Sequence, residues 1–127
     1  MFLTGLNTKV TGFTAREAES KYSPEGVMIT TVVLGVGDGS VRFPLMWVAV
    51  PVWDKLAEEA LEVIDRKGIA IEASGMLQIR QYEGRHGKTV GIVLKNVREL
   101  KIYDRNGDLE KVLSGGEAEV RTEVENG

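Results

Sequence analysis

The sequence contains no cysteine and a single histidine, His86, among its 127 residues. Without thiols the chain forms no disulfide framework and no thiolate metal site, and one imidazole is too few for a multi-histidine metal centre. No apolar run approaches the roughly 20 residues that a membrane-spanning helix needs, and the N-terminus has no basic segment followed by a long apolar one. We therefore expect a soluble cytoplasmic protein that needs neither a cofactor nor a metal and does not associate with a membrane.

Excess charge is also scarce, and it is unevenly distributed. The formal net charge is −3, which on its own disfavours a polyanionic partner. Residues 114–127 account for it with four glutamates and one arginine, so residues 1–113 hold 15 acidic and 15 basic side chains. We expect one domain over residues 1–105 and a disordered acidic tail over residues 106–127. Any binding charge must then be segregated onto one face of the domain.

The longest pattern runs from Ile69 to Leu100 and predicts one long β-hairpin. Between Ile69 and Tyr82, apolar or small residues occupy the odd positions from 69 to 79 and most even positions are polar, which is typical of a strand with one buried face. The polar run 83–88 contains two glycines, so the chain reverses there and returns to Leu100. Gly75 interrupts this strand and indicates a bulge or bend of the kind that closes a small barrel.

The remaining pattern predicts three earlier strands and one helix. Alternation and β-branched residues place the strands at Thr8–Phe13, Val27–Val36 and Val41–Val50. Pro51 ends the third strand, and Asp54 is placed to cap a helix from Lys55 to Lys67 that stops before Gly68. Five strands with one helix between the third and fourth, and a long hairpin joining the last two, predict an all-β OB-fold barrel.

Several short segments occur in a characteristic order between about residues 6 and 102. They are Lys21–Gly26, Trp47, Trp53–Glu58, Arg66–Gly68 and Gly75–Arg80 followed by Tyr82. In these segments the chain resembles the bacterial single-stranded DNA-binding proteins. The resemblance implies a homotetramer, or a related arrangement such as a dimer, that binds single strands without strong sequence preference. It also implies base stacking by Trp47, Trp53 and Tyr82, and backbone contacts by Lys21, Lys55 and Arg80.

The chain departs from that family in three places. Gly37–Gly39 stands where the family often has a further tryptophan, and Val48–Val50 stands where it has a basic residue. The acidic tail ends in Val-Glu-Asn-Gly and lacks the family's Asp-Ile-Pro-Phe tip. Recruitment of replication and repair partners through the tail is therefore not expected.

Arg80 and Tyr82 are the best candidate contacts by their own chemistry. Two residues apart on a strand, they point a cation and an aromatic plane the same way, which suits a ligand with phosphates and flat bases. The alternative is a structural cross-strand pair. Arg85, His86 and Lys88 follow in the hairpin tip, where they form either a solvated loop or a basic tip that folds over a strand.

The two tryptophans have equally open roles. Trp53 either stacks on a base or packs on the first helical turn as a hydrophobic staple. Trp47 lies in a strand that is apolar on both faces, so core packing, an interface and base contact all remain possible.

These features predict sequence-independent binding of single-stranded DNA in replication, recombination or repair, by a nucleoid-associated protein that is not an enzyme. No pairing of a nucleophile with a base indicates catalysis, and no carboxylate cluster indicates a metal-dependent nuclease. The alternative is a structural or adaptor OB domain, of primosome type or a partner-binding subunit, that binds nucleic acid weakly. Neutral charge and the apolar Met46, Val48 and Val50 favour that alternative.

Overall fold

The structure, a computed structural model, describes residues 6–85 and 87–115, except for the side chains at positions 82, 84, 89 and 90. Its elements in chain order are β1 (Leu6–Thr14), β2 (Glu19–Tyr22), β3 (Met28–Val36), β4 (Met46–Trp53), α1 (Asp54–Val63), β5 (Ala70–Gly84), β6 (Gly87–Lys95), β7 (Leu100–Tyr103) and β8 (Leu109–Leu113). Within those ranges, no helix has the length and apolar character to cross a bilayer.

Five strands close into a barrel. β1 pairs with both β3 and β5, β3 pairs with β4, β4 pairs in parallel with β6, and β6 pairs with β5. The helix α1 connects the third and fourth strands of this ring. The predicted all-β OB-fold barrel is therefore confirmed. Strand β2 adds to the free side of β3, and β7 and β8 extend the sheet from β5.

Hydrogen bonds from two buried threonines fix the connections around the helix. Thr30 of β3 donates its hydroxyl to the carbonyl of Ala57 in α1 at 2.8 Å. Thr14 of β1 donates to the carbonyl of Arg66 and accepts the N–H of Ile69, both at 2.9 Å. Around them the core is filled by fully buried apolar side chains, the largest being Leu34, Ile64, Ile71, Leu94 and Leu100.

The long hairpin is confirmed, but its second strand is shorter than predicted. The β5–β6 ladder runs from Met76 opposite Lys95 to Gly84 opposite Gly87. Asn96 has a φ of 59°, which interrupts the pairing, and Leu100 then begins β7 on the same edge of β5, while β1 occupies the opposite edge. Gly75 is not a bulge, because the β1–β5 ladder passes through it without a shift. A Cβ there would collide with the carbonyl of Lys95, so glycine permits close approach of two backbones.

The predicted third strand was displaced by several residues. It was expected at Val41–Val50, whereas β4 spans Met46–Trp53 and residues 41–45 belong to the preceding loop. Pro51 lies inside β4 and does not end it. The parallel pairing with β6 involves only Val48 and Ala49, so at Pro51 the strand has β3 as its one partner, and the missing N–H is tolerated.

The predicted helix was too long, and its expected cap was wrong. Helix α1 spans Asp54–Val63, its N-cap residue is Trp53, and no side chain caps it. Asp54 has a φ of 58°, a left-handed conformation that turns the chain sharply from β4 into α1. The helix ends where Ile64 leaves helical geometry to enter the core.

Three short strands were not predicted, namely β2, β7 and β8. In β2 all four side chains are exposed, so no apolar alternation marks the strand in the sequence. β8 pairs with β7 and lies within the segment that we assigned to the tail, so regular structure continues past residue 105. The expected disorder of the last residues concerns positions 116–127, which lie outside the described residues.

Candidate nucleic-acid interface

The outer face of the β3–β4 strand pair is the setting of the site. Val48, Val50 and Val52 of β4 point into the core, so the odd-numbered residues between them face outwards. Tryptophans stand at both ends of this outward row, Trp47 being 54% and Trp53 53% exposed. They are six positions apart along the strand, which corresponds to about 20 Å.

Around Trp53 this face contains a groove with a volume of about 540 Å³, which we call the cationic groove. Three basic side chains line it, Lys21, Arg80 and Lys95, and they come from three different strands. Its remaining lining residues are Ile29, Thr31, Ala49, Pro51, Val93 and Asn96. The groove therefore combines one indole ring, three cations and a mainly apolar floor.

Strand register explains how distant parts of the chain meet here. Lys21 of β2 lies opposite Ile29 of β3, and Ile29 lies opposite Trp53 of β4. On the other side, the long β5 carries Arg80, whose Nε donates to Oε1 of Gln78 at 3.1 Å. This hydrogen bond orients the guanidinium along the strand.

The groove carries uncompensated positive charge. No acidic side chain is among its lining residues. Within the described part of the chain, no carboxylate lies within 4.0 Å of the basic groups of Lys21, Arg80 or Lys95. The domain is neutral as a whole, so these cations face an anion without an internal competitor.

The indole of Trp53 separates the cationic groove from a second, smaller hollow of about 290 Å³. Lys55 and Arg98 line this hollow together with Asp54. The backbone N–H of Gly115 donates to Glu59 Oε1 at 3.2 Å, which fixes the segment on its far side. Because about half of Trp53 is exposed between two concavities, its ring is not a buried staple on the helix.

Residues 7–102 match the model of the single-strand binding protein family. The chain belongs to the single-strand binding protein family. Single-stranded DNA-binding protein 3 of Listeria innocua serovar 6a is 31% identical over 97 residues, which cover 71% of this chain and 60% of that protein. The small single-stranded DNA-binding protein of Streptomyces coelicolor has a similar crystal structure, with a TM-score of 0.63 at 11% identity over 82% of this chain and 98% of that one.

The structure brings together some of the residues that the family resemblance indicated. Lys21, Trp53 and Arg80 line the cationic groove, and Lys55 lies on the other side of the Trp53 ring. Trp47 is exposed at the far end of β4, where its ring covers Gly35, so it is not a core residue. Their contacts with a ligand stay predictions.

The hairpin-tip candidates are not brought into the groove. Arg85 and Lys88 are exposed and line neither hollow. The backbone of Tyr82 pairs with Thr89, but its side chain lies outside the described residues, as does all of His86.

Sequence reasoning missed Lys95, which lines the groove as fully as the predicted cations do. The necessary pattern was present, because Lys95 follows Val93 by two residues on the returning strand and therefore lies on the same face. The predicted strand continued to Leu100, so Lys95 was not recognised as the last residue of the strand. Even so, only the ladder pairing Val93 with Gln78 and Met76 with Lys95 places it beside β5.

Proposed function

We propose that this member of the single-strand binding protein family binds single-stranded DNA without sequence preference and without catalysing a reaction. The observation that carries the proposal is the cationic groove, where Lys21, Arg80 and Lys95 surround the half-exposed Trp53. Family membership supports the same conclusion.

The chemistry of this groove suits a flexible strand. An exposed indole stacks on any base, and such stacking contributes about 1 to 3 kcal/mol per base. The three cations attract phosphates and release condensed counterions, an effect that does not depend on base identity. In a duplex the base faces are already stacked on one another, so Trp53 has no free base to contact. The groove therefore favours single strands.

The binding surface extends beyond the groove in this proposal. Trp47 and Tyr82 supply further stacking, while Lys55, Arg85 and Lys88 supply further phosphate contacts. We also propose a homo-oligomer, a tetramer or a dimer, that associates with the nucleoid in the cytoplasm during replication, recombination or repair. These parts rest on the family's general properties and on the exposure of those side chains for which it is described.

Titration of the full chain with oligo-dT, followed by tryptophan fluorescence, tests the proposal. We expect quenching, because both tryptophans are half exposed, and an affinity that falls as salt rises. A duplex of equal length should quench much less. Absence of quenching by oligo-dT at low salt, or an equal response to the duplex, would contradict the proposed function.

A structural or adaptor OB domain is the second candidate. The exposed apolar side chains of Leu45, Met46 and Trp47 favour it, because contiguous apolar surface often marks a protein interface. Measuring the mass in solution with and without oligo-dT separates the candidates. A tetramer that binds tightly supports strand binding, whereas a dimer that does not bind supports the adaptor.

A further inference from the structure

The loop between β3 and β4 exposes unusually many apolar side chains. Between Gly37 and Trp47 the sequence reads Gly-Asp-Gly-Ser-Val-Arg-Phe-Pro-Leu-Met-Trp. Phe43 is 58% exposed and Val41 fully exposed, and Leu45 and Met46 are each nearly half exposed. A ring and three aliphatic side chains in water are costly unless a partner covers them. The loop lies directly beside the outer face that carries Trp47.

Hydrogen bonds hold this loop in one shape. Ser40 donates its N–H to Asp38 Oδ1 at 2.9 Å, and its Oγ accepts the N–H of Phe43 at 3.0 Å. The carbonyl of Phe43 accepts the N–H groups of Asp38 and Gly39 at 3.1 and 3.0 Å. Hydrogen bonding from the Ser40 side chain and backbone lowers the pKa of Asp38, which favours the charged form of this acceptor. Both the N–H and the carbonyl of Phe43 are therefore hydrogen-bonded within the loop.

The loop begins at the Trp47 end of the outer face. In the ladder Gly35 lies opposite Trp47 and Val36 opposite Met46, where the ladder ends. The side chains of Trp47 and Leu45 both lie over Gly35, so the loop residue Leu45 still packs on this face. Phe43 precedes Leu45 by two residues, and its carbonyl accepts the N–H groups of Asp38 and Gly39, which keeps its backbone beside the segment that follows β3.

We infer that Phe43 is a further base-stacking residue, positioned by Ser40 at the Trp47 end of the outer face, so that the bound strand runs from the cationic groove past Trp47 to the loop. The inference rests on the proposed single-strand binding. Between the two tryptophans the outward residues of β4 are Ala49 and Pro51, neither of which is aromatic. Phe43 gives that path a stacking platform at its far end.

Leu109 provides a control for Phe43. Leu109 is 53% exposed, but it lies on β8, which pairs with β7. With a long oligo-dT, Phe43→Ala should weaken binding about 5- to 150-fold, the range for one lost base stack. Leu109→Ala should leave the affinity unchanged. Because both side chains are exposed, thermal unfolding should show that both variants are folded.

Oligo length localises the contact. A series of oligo-dT from short to long should show that the Phe43→Ala defect is absent for the shortest binders, which fill the groove at Trp53, and appears once the strand reaches the loop. A defect of equal size at every length, or no defect at any length, would overturn the inference. If the wild type binds oligo-dT and Trp53→Ala weakens that binding, the proposed function stands whatever Phe43→Ala does. If the wild type does not bind oligo-dT, the proposed function itself is wrong.

Ser40→Ala tests the positioning role without changing charge. It removes the acceptor of the Phe43 N–H, so binding of long oligo-dT should weaken by less than in Phe43→Ala. The double variant should bind as Phe43→Ala alone does, because the hydroxyl acts through that ring. Additive losses in the double variant would show that Ser40 does not act through Phe43.

Discussion

Two outer surfaces of the same barrel carry basic side chains, but they use them differently. In the cationic groove, Lys21, Arg80 and Lys95 stand among apolar residues with no acid in the lining. On the β1–β5–β7 surface, Lys9 and Lys101 each place Nζ 3.9 Å from Glu72 Oε2, and Tyr103 donates its hydroxyl to Glu72 Oε1 at 3.2 Å. We call this second set the Glu72 cluster (Lys9, Glu72, Lys101, Tyr103).

The difference shows why the net charge of a domain says little about its ligands. Glu72 is more buried than either lysine and contacts both lysines and a phenol at once, so that surface presents less free positive charge than the groove. The groove holds the same kind of cation with no such partner. Availability of the cations, and not their number, distinguishes a binding surface from a structural one.

The largest expected effect comes from removing the ring in the groove. Trp53→Ala should weaken oligo-dT binding about 5- to 150-fold, because one stacked base contributes about 1 to 3 kcal/mol. Stability should change little, since the ring is 53% exposed. Affinity is measured by fluorescence anisotropy of labelled oligo-dT, which does not depend on the tryptophan signal.

Leu109→Ala is the control for that substitution, because Leu109 is also 53% exposed but lies on β8. It should bind as the wild type does. Equal losses in both variants would mean that the Trp53 effect reports a general disturbance of the surface.

Smaller effects should follow from neutralising single lysines. Lys95→Gln should lower affinity modestly and make the logarithmic salt slope shallower by about 0.7, the value for one phosphate contact with a single strand. Lys101→Gln should leave the slope unchanged, because Lys101 already faces Glu72. Binding titrations at several salt concentrations measure both slopes. An equal change in the two variants would remove the distinction between the surfaces.

Glu72→Gln tests the same comparison on the Glu72 cluster. Without the carboxylate, Lys9 and Lys101 become available, so the variant should gain a weak, salt-sensitive second binding mode for oligo-dT. Unfolding should become easier by less than about 1 kcal/mol, because the lysines are partly exposed and screened. Calorimetric titration at low salt resolves the added mode. If the variant shows one binding mode for oligo-dT, unchanged from the wild type, pairing with Glu72 is not what prevents this surface from binding.

The barrel was predictable because its strands obey simple alternation over long stretches. The inward β3 residues and the odd positions from 69 to 73, at the start of the predicted hairpin, are buried as the pattern requires. Failures occurred where tertiary context overrides local preference. Pro51 is tolerated in β4 because the partner on one side has already ended, and Asp54 adopts a left-handed conformation for a turn that no capping rule describes.

Composition of the candidate site was partly predictable, but its assembly was not. Lys21, Trp53 and Arg80 were identified through short family segments, yet they are brought together by the pairings of β2 with β3 and of β4 with β6. β2 carries no alternation that would reveal it, and only two register pairs join β4 to β6. The folded sheet determines which carboxylates lie beside each basic side chain. The sequence alone therefore does not show which cations are available to a ligand.

The smallest expected effect concerns the phenol of the Glu72 cluster. Partial burial, together with the hydrogen bond to the Glu72 carboxylate, raises the pKa of Tyr103 above its ordinary value of 10.0. The folded state therefore holds this proton more tightly than the unfolded chain does. Its contribution to stability is complete below about pH 10 and is lost as the pH rises through the folded-state pKa. To isolate the contribution of this phenol, the measured quantity is the difference in unfolding free energy between wild type and Tyr103→Phe from pH 8 to pH 11. That difference should shrink above about pH 10 while oligo-dT affinity at neutral pH stays the same in both proteins, and a constant difference across this range would show that Tyr103 is not coupled to Glu72.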